Sequence, residues 1–559
     1  MMLKSRSFIL NALIVLLSVA LFVPFIGGVH LFDWDEINFA ESAREMIVSG
    51  DYLNVKINFV PFWEKPPLFI WMQVLSMKMF GINEFAARFP DTICGIMTLL
   101  LVFNIGRKLY SEKFGLIWVM SFAFSILPFL YFKSGIIDPW FNLFIFLGIY
   151  LFIRYTHKKR AIFILLSAAS IGLGILTKGP VALLVFLLTV GFYWIFNHFR
   201  LKLRFSDALI FTITLVIVGG FWFILQLASG NKTVIADFIN YQIRLFRTED
   251  AGHGGFLLYH FVILLIGVFP ASVFAVAGFS KFRSDLPEQR NFKKWMLVLF
   301  WVVLILFTIV RTKIVHYSSL CYFPLTFLAA LAIYHYITKK IVPPWWIVVG
   351  ILTTGFLIAV SVTALPFLEN FKEHIAGSSL VRDNFTREIV LAKVPWHGYE
   401  FVSGLLLIAG LIVYIVFQIR QKTTAAITLL FTITGLSVYM TLLTYTSKIE
   451  HYSQRAAIDF FRSLSGRDVY VETLGYKSYA DLFYAKKETP DNPESYNSNW
   501  LLTGNIDKDA YFSCKITSKD EILKKYPGLR LLYEKNGYVF LYRPKGETND
   551  ENPQNSKKN

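Results

Sequence analysis

Residues 8–36 read FILNALIVLLSVALFVPFIGGVHLFDWDE, an apolar run ending in paired carboxylates. The stretch Phe8–Val29 is long enough to cross a bilayer core as one helix. Asp35 and Glu36 then fall where that helix would leave the lipid. Carboxylates held at such a position are costly unless they bind something. The pair therefore reads either as an acidic start to a following helix or as a general base and clamp for an acceptor group.

Outward from this stretch, the same texture repeats. The chain has 559 residues, of which 55% are hydrophobic and only 17% charged. Apolar runs of about membrane length recur to residue 445, roughly 8–29, 90–106, 114–132, 139–153, 161–177, 180–197, 208–228, 258–279, 295–311, 317–338, 344–365, 400–419 and 424–445. They predict a mainly α, polytopic membrane protein with about thirteen transmembrane helices. The formal net charge of +17 does not point to nucleic acid. Basic clusters such as Arg107-Lys108, Lys158-Lys159-Arg160, Lys339-Lys340 and Arg420 with Lys422 sit in short loops between apolar runs, as membrane topology predicts. That pattern puts the N-terminus in the cytoplasm and the C-terminus outside. The basic start at Lys4 and Arg6 resembles a signal sequence, but the apolar core is too long for a cleaved one. Cys94, Cys321 and Cys514 give no disulfide framework.

Charges that do not mark topology fall on the outer side: Asp35-Glu36, Glu64-Lys65, Arg88, Asp138, Lys178, Arg244, Arg247 and the segment Arg311–Tyr317. Their gathering at one membrane face is the sequence's strongest argument for a site. Glu64-Lys65-Pro66-Pro67 lies in a loop at 30–89 whose prolines forbid an ordinary helix at that point. Lys65 there offers a point charge for a phosphate, or snorkels to the interface with Glu64 beside it. Lys178-Gly179-Pro180 and Asp138-Pro139 also read as turn chemistry. Arg311-Thr312-Lys313-Ile314-Val315-His316-Tyr317 sets cations against the topology bias, which favours an anionic ligand. Short interfacial helices are expected near 39–46 and 67–80. After Ser447 polar residues dominate, predicting a small soluble α/β domain over 447–544 with helices near 454–464, 479–485 and 519–525, a strand at 468–472 and a hairpin at 531–542. The tail 545–559 is predicted to be disordered. The transmembrane part would then be 1–446.

No nucleotide loop, nucleophile elbow or paired-cysteine zinc motif is found, so no nucleotide cofactor is expected, and an activated donor outside the membrane would be lipid-linked.

Several motifs then carry a resemblance. Asp35-Glu36 with Ala40-Glu41, Ala43-Arg44-Glu45-Met46 and Ser49-Gly50-Asp51, then Glu64-Lys65-Pro66-Pro67-Leu68, Asn83–Pro90 and Leu176-Thr177-Lys178-Gly179-Pro180 resemble the lipid A aminoarabinose transferase-like and dolichyl-phosphate-mannose protein mannosyltransferase-like family of membrane glycosyltransferases. The resemblance is specific over about 30–200 and weaker to about 340. It implies the C-type glycosyltransferase fold and transfer of a sugar, with inversion, from a polyprenyl-phosphate carrier to an extracytoplasmic acceptor: lipid A, another glycolipid, a glycan or a protein. It implies a bacterial inner-membrane location. By motif position Asp35 would face the reacting centre with Glu36 beside it, Asp138 would line the same cavity, and Lys65 would hold the carrier phosphate. Lys178, Arg88, Lys313, His316 and Tyr317 would complete the phosphate site. Glu64 would be the candidate ligand of a divalent cation. Two departures from the family pattern, Asn38-Phe39 and His316, touch substrate identity. A transporter or flippase of a lipid-linked or anionic substrate is the rival reading, and a non-catalytic scaffold a second; the absence of a visible repeat and the charges at one face count against transport.

Overall fold

The opening apolar run is a helix, Met2–Phe22. It stops short of the predicted Val29 because Pro24 supplies no amide hydrogen and disfavours helix in the residue before it. The structure, a computed structural model, describes residues 2–200, 203–247, 255–280, 286–379 and 381–546. Most of the predicted tail lies outside them.

Helical segments cover each of the predicted apolar stretches. Among the described residues, eight helices are long and apolar enough to cross a membrane, or up to ten if each bent pair is one span. The number thirteen is therefore not reached by length and composition. Arg6–Phe22 and Val181–Phe196 are shorter apolar helices, and two stretches are broken. Phe205–Gly219 meets Phe221–Ala228 at 58°, and Tyr259–Gly267 meets Ala271–Gly278 at 110°. The second bend holds Pro270, which cannot continue a hydrogen-bonded helix. Neighbouring helices approach closely where side chains are absent: a Cβ on Gly278 would stand 2.2 Å from the Leu328 carbonyl oxygen.

The loop after the first helix forms two helices, Asp35–Ser49 and Leu68–Phe80, close to the predicted interfacial pair. Gly50, at φ 71°, ends the first of them, as only a residue without a Cβ does cheaply. Between them runs a two-residue hairpin that sequence reading missed, β1 (Lys56–Ile57) against β2 (Val60–Pro61). The helix Asp35–Ser49 is buried along nearly its whole length, charged residues included: Arg44 makes a two-pronged ion pair with Glu41 at 2.7 and 2.6 Å. It is an internal element, not a surface float.

The C-terminal part holds a four-stranded sheet of β3 (Tyr470–Leu474), β4 (Ala510–Lys515), β5 (Arg530–Lys535) and β6 (Tyr538–Arg543). Its order is β3-β4-β6-β5, parallel between β3 and β4 and antiparallel elsewhere. The predicted helices appear at Arg455–Leu464, Ala480–Ala485 and Lys519–Lys525. Strand β4, at the middle of the sheet, was not predicted. The boundary drawn at 446/447 falls inside a continuous helix, Thr423–Ser453. Phe460, Phe461, Tyr484 and Phe540 belong to the same apolar cluster as the long helices, so the sheet unit packs directly on the helical part. The three cysteines are buried and free.

Candidate active site

Asp35 begins the helix Asp35–Ser49, directly after Trp34. Its side chain stays 44% exposed and lines a hollow of about 390 Å³. Around it the hollow gathers Asp33, Trp34, Asn38, Phe39, Glu64, Lys65, Ile137, Asp138, Lys178, Tyr241, Arg244, Ile314, His316, Tyr317 and Lys477. Seven of the sequence-derived site residues thus share one space: Asp35, Glu64, Lys65, Asp138, Lys178, His316 and Tyr317.

The local backbone explains how they arrive. Asp138 opens its helix with Pro139 in the first turn, where a carboxylate suits the helix dipole and proline costs no hydrogen bond. Lys178 closes its helix, and Gly179, at φ 104°, turns the chain sharply so that the ammonium meets that carboxylate: Lys178 Nζ donates to Asp138 Oδ1 at 2.6 Å. The same ammonium lies 5.2 Å from the Tyr317 ring centre. His316 Nε2 stands 3.7 Å from Asp35 Oδ2 and 3.9 Å from Asp138 Oδ2, so the imidazole sits between the two acids. Lys65 Nζ donates to the Tyr241 hydroxyl at 3.4 Å. Burial pushes the Lys65 ammonium below the ordinary lysine range and the charge of Lys178 adds to this, while Glu64, Asp35 and Asp138 pull it back up. Lys65 and Lys178, lining one hollow, together make a seat for an anion.

An apolar groove adjoins the hollow. It shares Lys65, Asp138, Lys178 and Tyr317 with it and continues past Phe141, Val181, Val185, Phe307, Val310 and Leu320. The cations therefore stand where a polar space meets a greasy one between helices.

Three assignments are corrected by position. Glu36 and Arg88 do not line this hollow. Arg88 Nε and Nη2 donate to the two Glu36 carboxylate oxygens at 2.9 and 2.7 Å, and the remaining donors go to the carbonyls of Ile26, Val29 and His30. Glu36 also accepts the amide hydrogens of Phe32 and Gly135, and these bonds together with Arg88 hold its carboxyl below the usual range against the opposing effect of burial. This buried pair ties the loop to two helices and has no hydrogen-bonding capacity aimed at a substrate. Lys313 also turns away: Nζ donates to the carbonyls of Phe307, Thr308 and Val310 at 3.3, 2.5 and 2.6 Å, capping the end of the helix Pro287–Ile309. As for a metal, no group of three or more His, Cys, Asp and Glu side chains is arranged to hold an ion among the described residues; Glu64 lines the hollow without such a set.

Sequence reading missed Trp34, Tyr241 and Lys477 as lining groups. Tyr241 and Arg244 come from the helix Lys232–Arg247, of which the sequence reading counted Arg244 among the outer charges but not Tyr241. Lys477 comes from the C-terminal part, some 440 residues along the chain from Asp35, and nothing local in its sequence marks it.

Comparison with known proteins agrees with this architecture. Residues 64–223 match the family model of dolichyl-phosphate-mannose-protein mannosyltransferase. The undecaprenyl phosphate-alpha-4-amino-4-deoxy-L-arabinose arabinosyl transferase of Edwardsiella ictaluri is 28% identical over 324 residues, 56% of this chain and 57% of that one. An uncharacterized protein of Aquifex aeolicus is 26% identical over 293 residues, 52% of this chain and 56% of its own length. The match thus spans little more than half the length of these relatives. The crystal structure of ArnT from Cupriavidus metallidurans bound to undecaprenyl phosphate superposes with a TM-score of 0.71 at 15% identity, covering 95% of this chain and 97% of that one. Its apo form gives the same score. The chain is an integral membrane protein, similar in sequence over residues 64–223 to the dolichyl-phosphate-mannose-protein mannosyltransferase family and in fold over nearly its whole length to the aminoarabinose transferase ArnT.

Proposed function

We propose that this protein is a membrane glycosyltransferase that moves a sugar from a polyprenyl-phosphate carrier to an acceptor at the extracytoplasmic face, with inversion at the anomeric carbon. The observation that carries the reading is the junction of the charged hollow with the apolar groove at Lys65, Asp138, Lys178 and Tyr317. A polyprenyl phosphate is half anion and half grease, and the junction suits both halves.

In this reading Lys65 and Lys178 hold the carrier phosphate, with the Tyr317 ring against Lys178. As the bond between the anomeric carbon and the phosphate oxygen breaks, its electron pair leaves with the phosphate. The two ammonium groups stabilise that growing charge more than they stabilise the ground state. The acceptor oxygen attacks from the opposite side of the sugar, forming the new bond to the anomeric carbon. A hydroxyl acceptor passes its proton to the Asp35 carboxylate; a phosphate acceptor needs little help of this kind. Asp138 keeps Lys178 aimed through their 2.6 Å contact, and His316, between both acids, tunes the charge at the centre. The site thus faces outward, with the N-terminus cytoplasmic and the C-terminal part outside.

The test is transfer of radiolabelled sugar from a membrane pool of undecaprenyl-phosphate-linked donor by the reconstituted protein. Asp35→Asn and Lys65→Ala are expected to lower transfer by at least about a hundredfold, the scale of a lost general base or a lost charge-stabilising donor, while insertion and folding persist. Wild-type rates in both variants would reject the assignment.

A further inference from the structure

Asp138 can aim Lys178 only if Asp138 is itself held still. It is the first residue of its helix, so the short segment 132–137 that joins it to the helix Ile126–Tyr131 sets where it stands. The amides of that segment can be followed in order. Those of Lys133 and Ser134 turn back to the carbonyls of Leu130 and Tyr131, at 3.0 and 3.3 Å. The next two leave the segment. Gly135 donates to Glu36 Oε1 at 2.8 Å, and Ile136 donates to Asp91 Oδ2 at 2.9 Å. Two consecutive amides just before Asp138 are thus gripped by buried carboxyl groups from two different helices, Asp35–Ser49 and Glu84–Leu109.

Asp91 is costly where it stands. The residue is fully buried, and its Oδ1 has no hydrogen-bond partner among the described residues. A buried carboxyl with half its bonding capacity idle destabilises a fold, and an apolar side chain of similar shape would avoid that cost. The bond from Ile136 is what offsets it. The surrounding turn of the helix grips the same segment. The Pro90 carbonyl accepts Trp140 Nε1, from the first turn of the Asp138 helix, at 3.1 Å. Thr92 Oγ1 donates to the Phe132 carbonyl at 3.2 Å. A Cβ on Gly135 would stand 3.1 Å from the Ala87 carbonyl oxygen, so the backbone of the segment lies close against that helix.

The consequence lies at the other end of Asp138. Its Oδ1 takes the Lys178 ammonium at 2.6 Å, and its Oδ2 stands 3.9 Å from His316 Nε2. A shift of segment 132–137 moves this carboxylate, and with it the ammonium that faces the leaving phosphate. Asp91 lines neither the hollow nor the apolar groove, so it touches no reacting atom and acts through its neighbours.

We infer that Asp91 is a positioning residue: from inside the helix Glu84–Leu109 it fixes the Asp138 carboxylate, and through it Lys178, at the reacting centre. Its catalytic meaning rests on the transferase reading. The full chain, reconstituted in phosphatidylcholine nanodiscs, is assayed for transfer of radiolabelled sugar from undecaprenyl-phosphate-linked donor, and hydrogen–deuterium exchange is followed in peptides covering residues 133–140. Asp91→Leu fills the space without an acceptor for the Ile136 amide. It is expected to speed exchange in that peptide and to lower kcat by about tenfold to a hundredfold with little change in KM, the scale of a displaced group near the chemistry. Asp91→Asn keeps an acceptor oxygen and stays close to the wild type in both readouts. In a Lys178→Ala background Asp91→Leu lowers kcat no further, because residues that act through one contact are not additive. A role confined to stability would instead give the same loss in both backgrounds. Wild-type kcat in Asp91→Leu, full additivity with Lys178→Ala, or an equal loss in Asp91→Asn overturns the inference. Should Asp91→Leu fail to fold, Asp91→Ala takes its place in the same cycle. A wild type that transfers no sugar sinks the transferase reading; the hold on Asp138 is then judged by exchange alone, standing if Asp91→Leu speeds it and Asp91→Asn does not, and falling otherwise.

Discussion

Single side chains in this protein divide by whether their charge is spent. Glu36 and Asp35 are neighbours in sequence, yet Glu36 is consumed by Arg88 and two amides while Asp35 faces the hollow. Removing Arg88 would strand a buried carboxylate, which costs about 3–5 kcal/mol. Arg88→Ala is therefore expected to lower thermal stability in detergent by that order. The double variant Glu36→Gln/Arg88→Met should recover a large share of it, and a melting curve for each variant checks this. Lys65 carries a different expectation. Its folded pKa lies below the ordinary lysine range, so the protonated form that the proposed carrier site requires is present at lower pH and is lost as pH rises through that depressed value. Affinity for undecaprenyl phosphate should thus fall at a lower pH than an ordinary lysine, near 10.4, would give. Lys65→Arg should remove the fall, because guanidinium stays charged. A binding isotherm at several pH values measures it. Asp35, Lys65 and Asp138 were legible because isolated charges beside apolar runs stand out. The idle state of Arg88 was not, since it depends on a carboxylate and carbonyls more than fifty residues away; that of Lys313 rests on carbonyls three to six residues before it, but on a side-chain direction that the sequence leaves open.

At the level of elements, the helix Asp35–Ser49 matters most. Its alternating pattern reads as a surface helix, but Glu41, Arg44 and Glu45 are buried against the helix Ala480–Ala485 and its flanking turn, where Arg44 Nη2 donates to the Lys487 carbonyl at 2.7 Å. Burial, with a small addition from Asp33 and Glu41, raises the Asp481 carboxyl to about 7 against the pull of Lys487. Glu45 is raised to about 8 by burial and Glu41. A carboxyl raised in the folded state binds its proton more tightly there than in the unfolded chain. Its contribution to stability is whole below the unfolded value, near 4, and is lost as pH climbs through the folded value. Stability is therefore expected to decline between about pH 4 and pH 8 at this contact. Asp481→Asn should flatten the decline and gain about 1 kcal/mol or more at pH 8, since one pKa unit is worth about 1.4 kcal/mol. Melting temperatures at pH 5, 6.5 and 8 test it. Among the other elements, long apolar helices were easy to place from hydropathy. Strand β4, with polar and apolar residues mixed and buried at the middle of its sheet, was not, because a central strand lacks clean alternation.

Across the whole molecule, the C-terminal part is a structural partner of the helices. Leu31 donates its amide hydrogen to the Tyr484 hydroxyl at 2.7 Å, Gln454 Nε2 donates to the Leu31 carbonyl at 2.6 Å, and the aromatic side chains of both parts share one apolar cluster. Ending the chain at residue 446 would cut the helix Thr423–Ser453 and bare that cluster. Such a truncation is expected to lose the single sharp peak of a folded protein in size-exclusion chromatography, together with undecaprenyl phosphate binding; a well-folded, binding-competent truncate would refute the coupling. By itself the sequence determined the membrane class, the helical stretches and most of the charges that meet at the site, because desolvation makes apolar length and misplaced charge visible in one dimension. Only the tertiary structure decided which of those charges remain free, which are consumed as buried pairs and caps, and that Lys477 reaches the hollow from the far end of the chain. Apart from the local cap at Lys313, those outcomes depend on hydrogen-bond partners brought together by packing, and no local pattern encodes them.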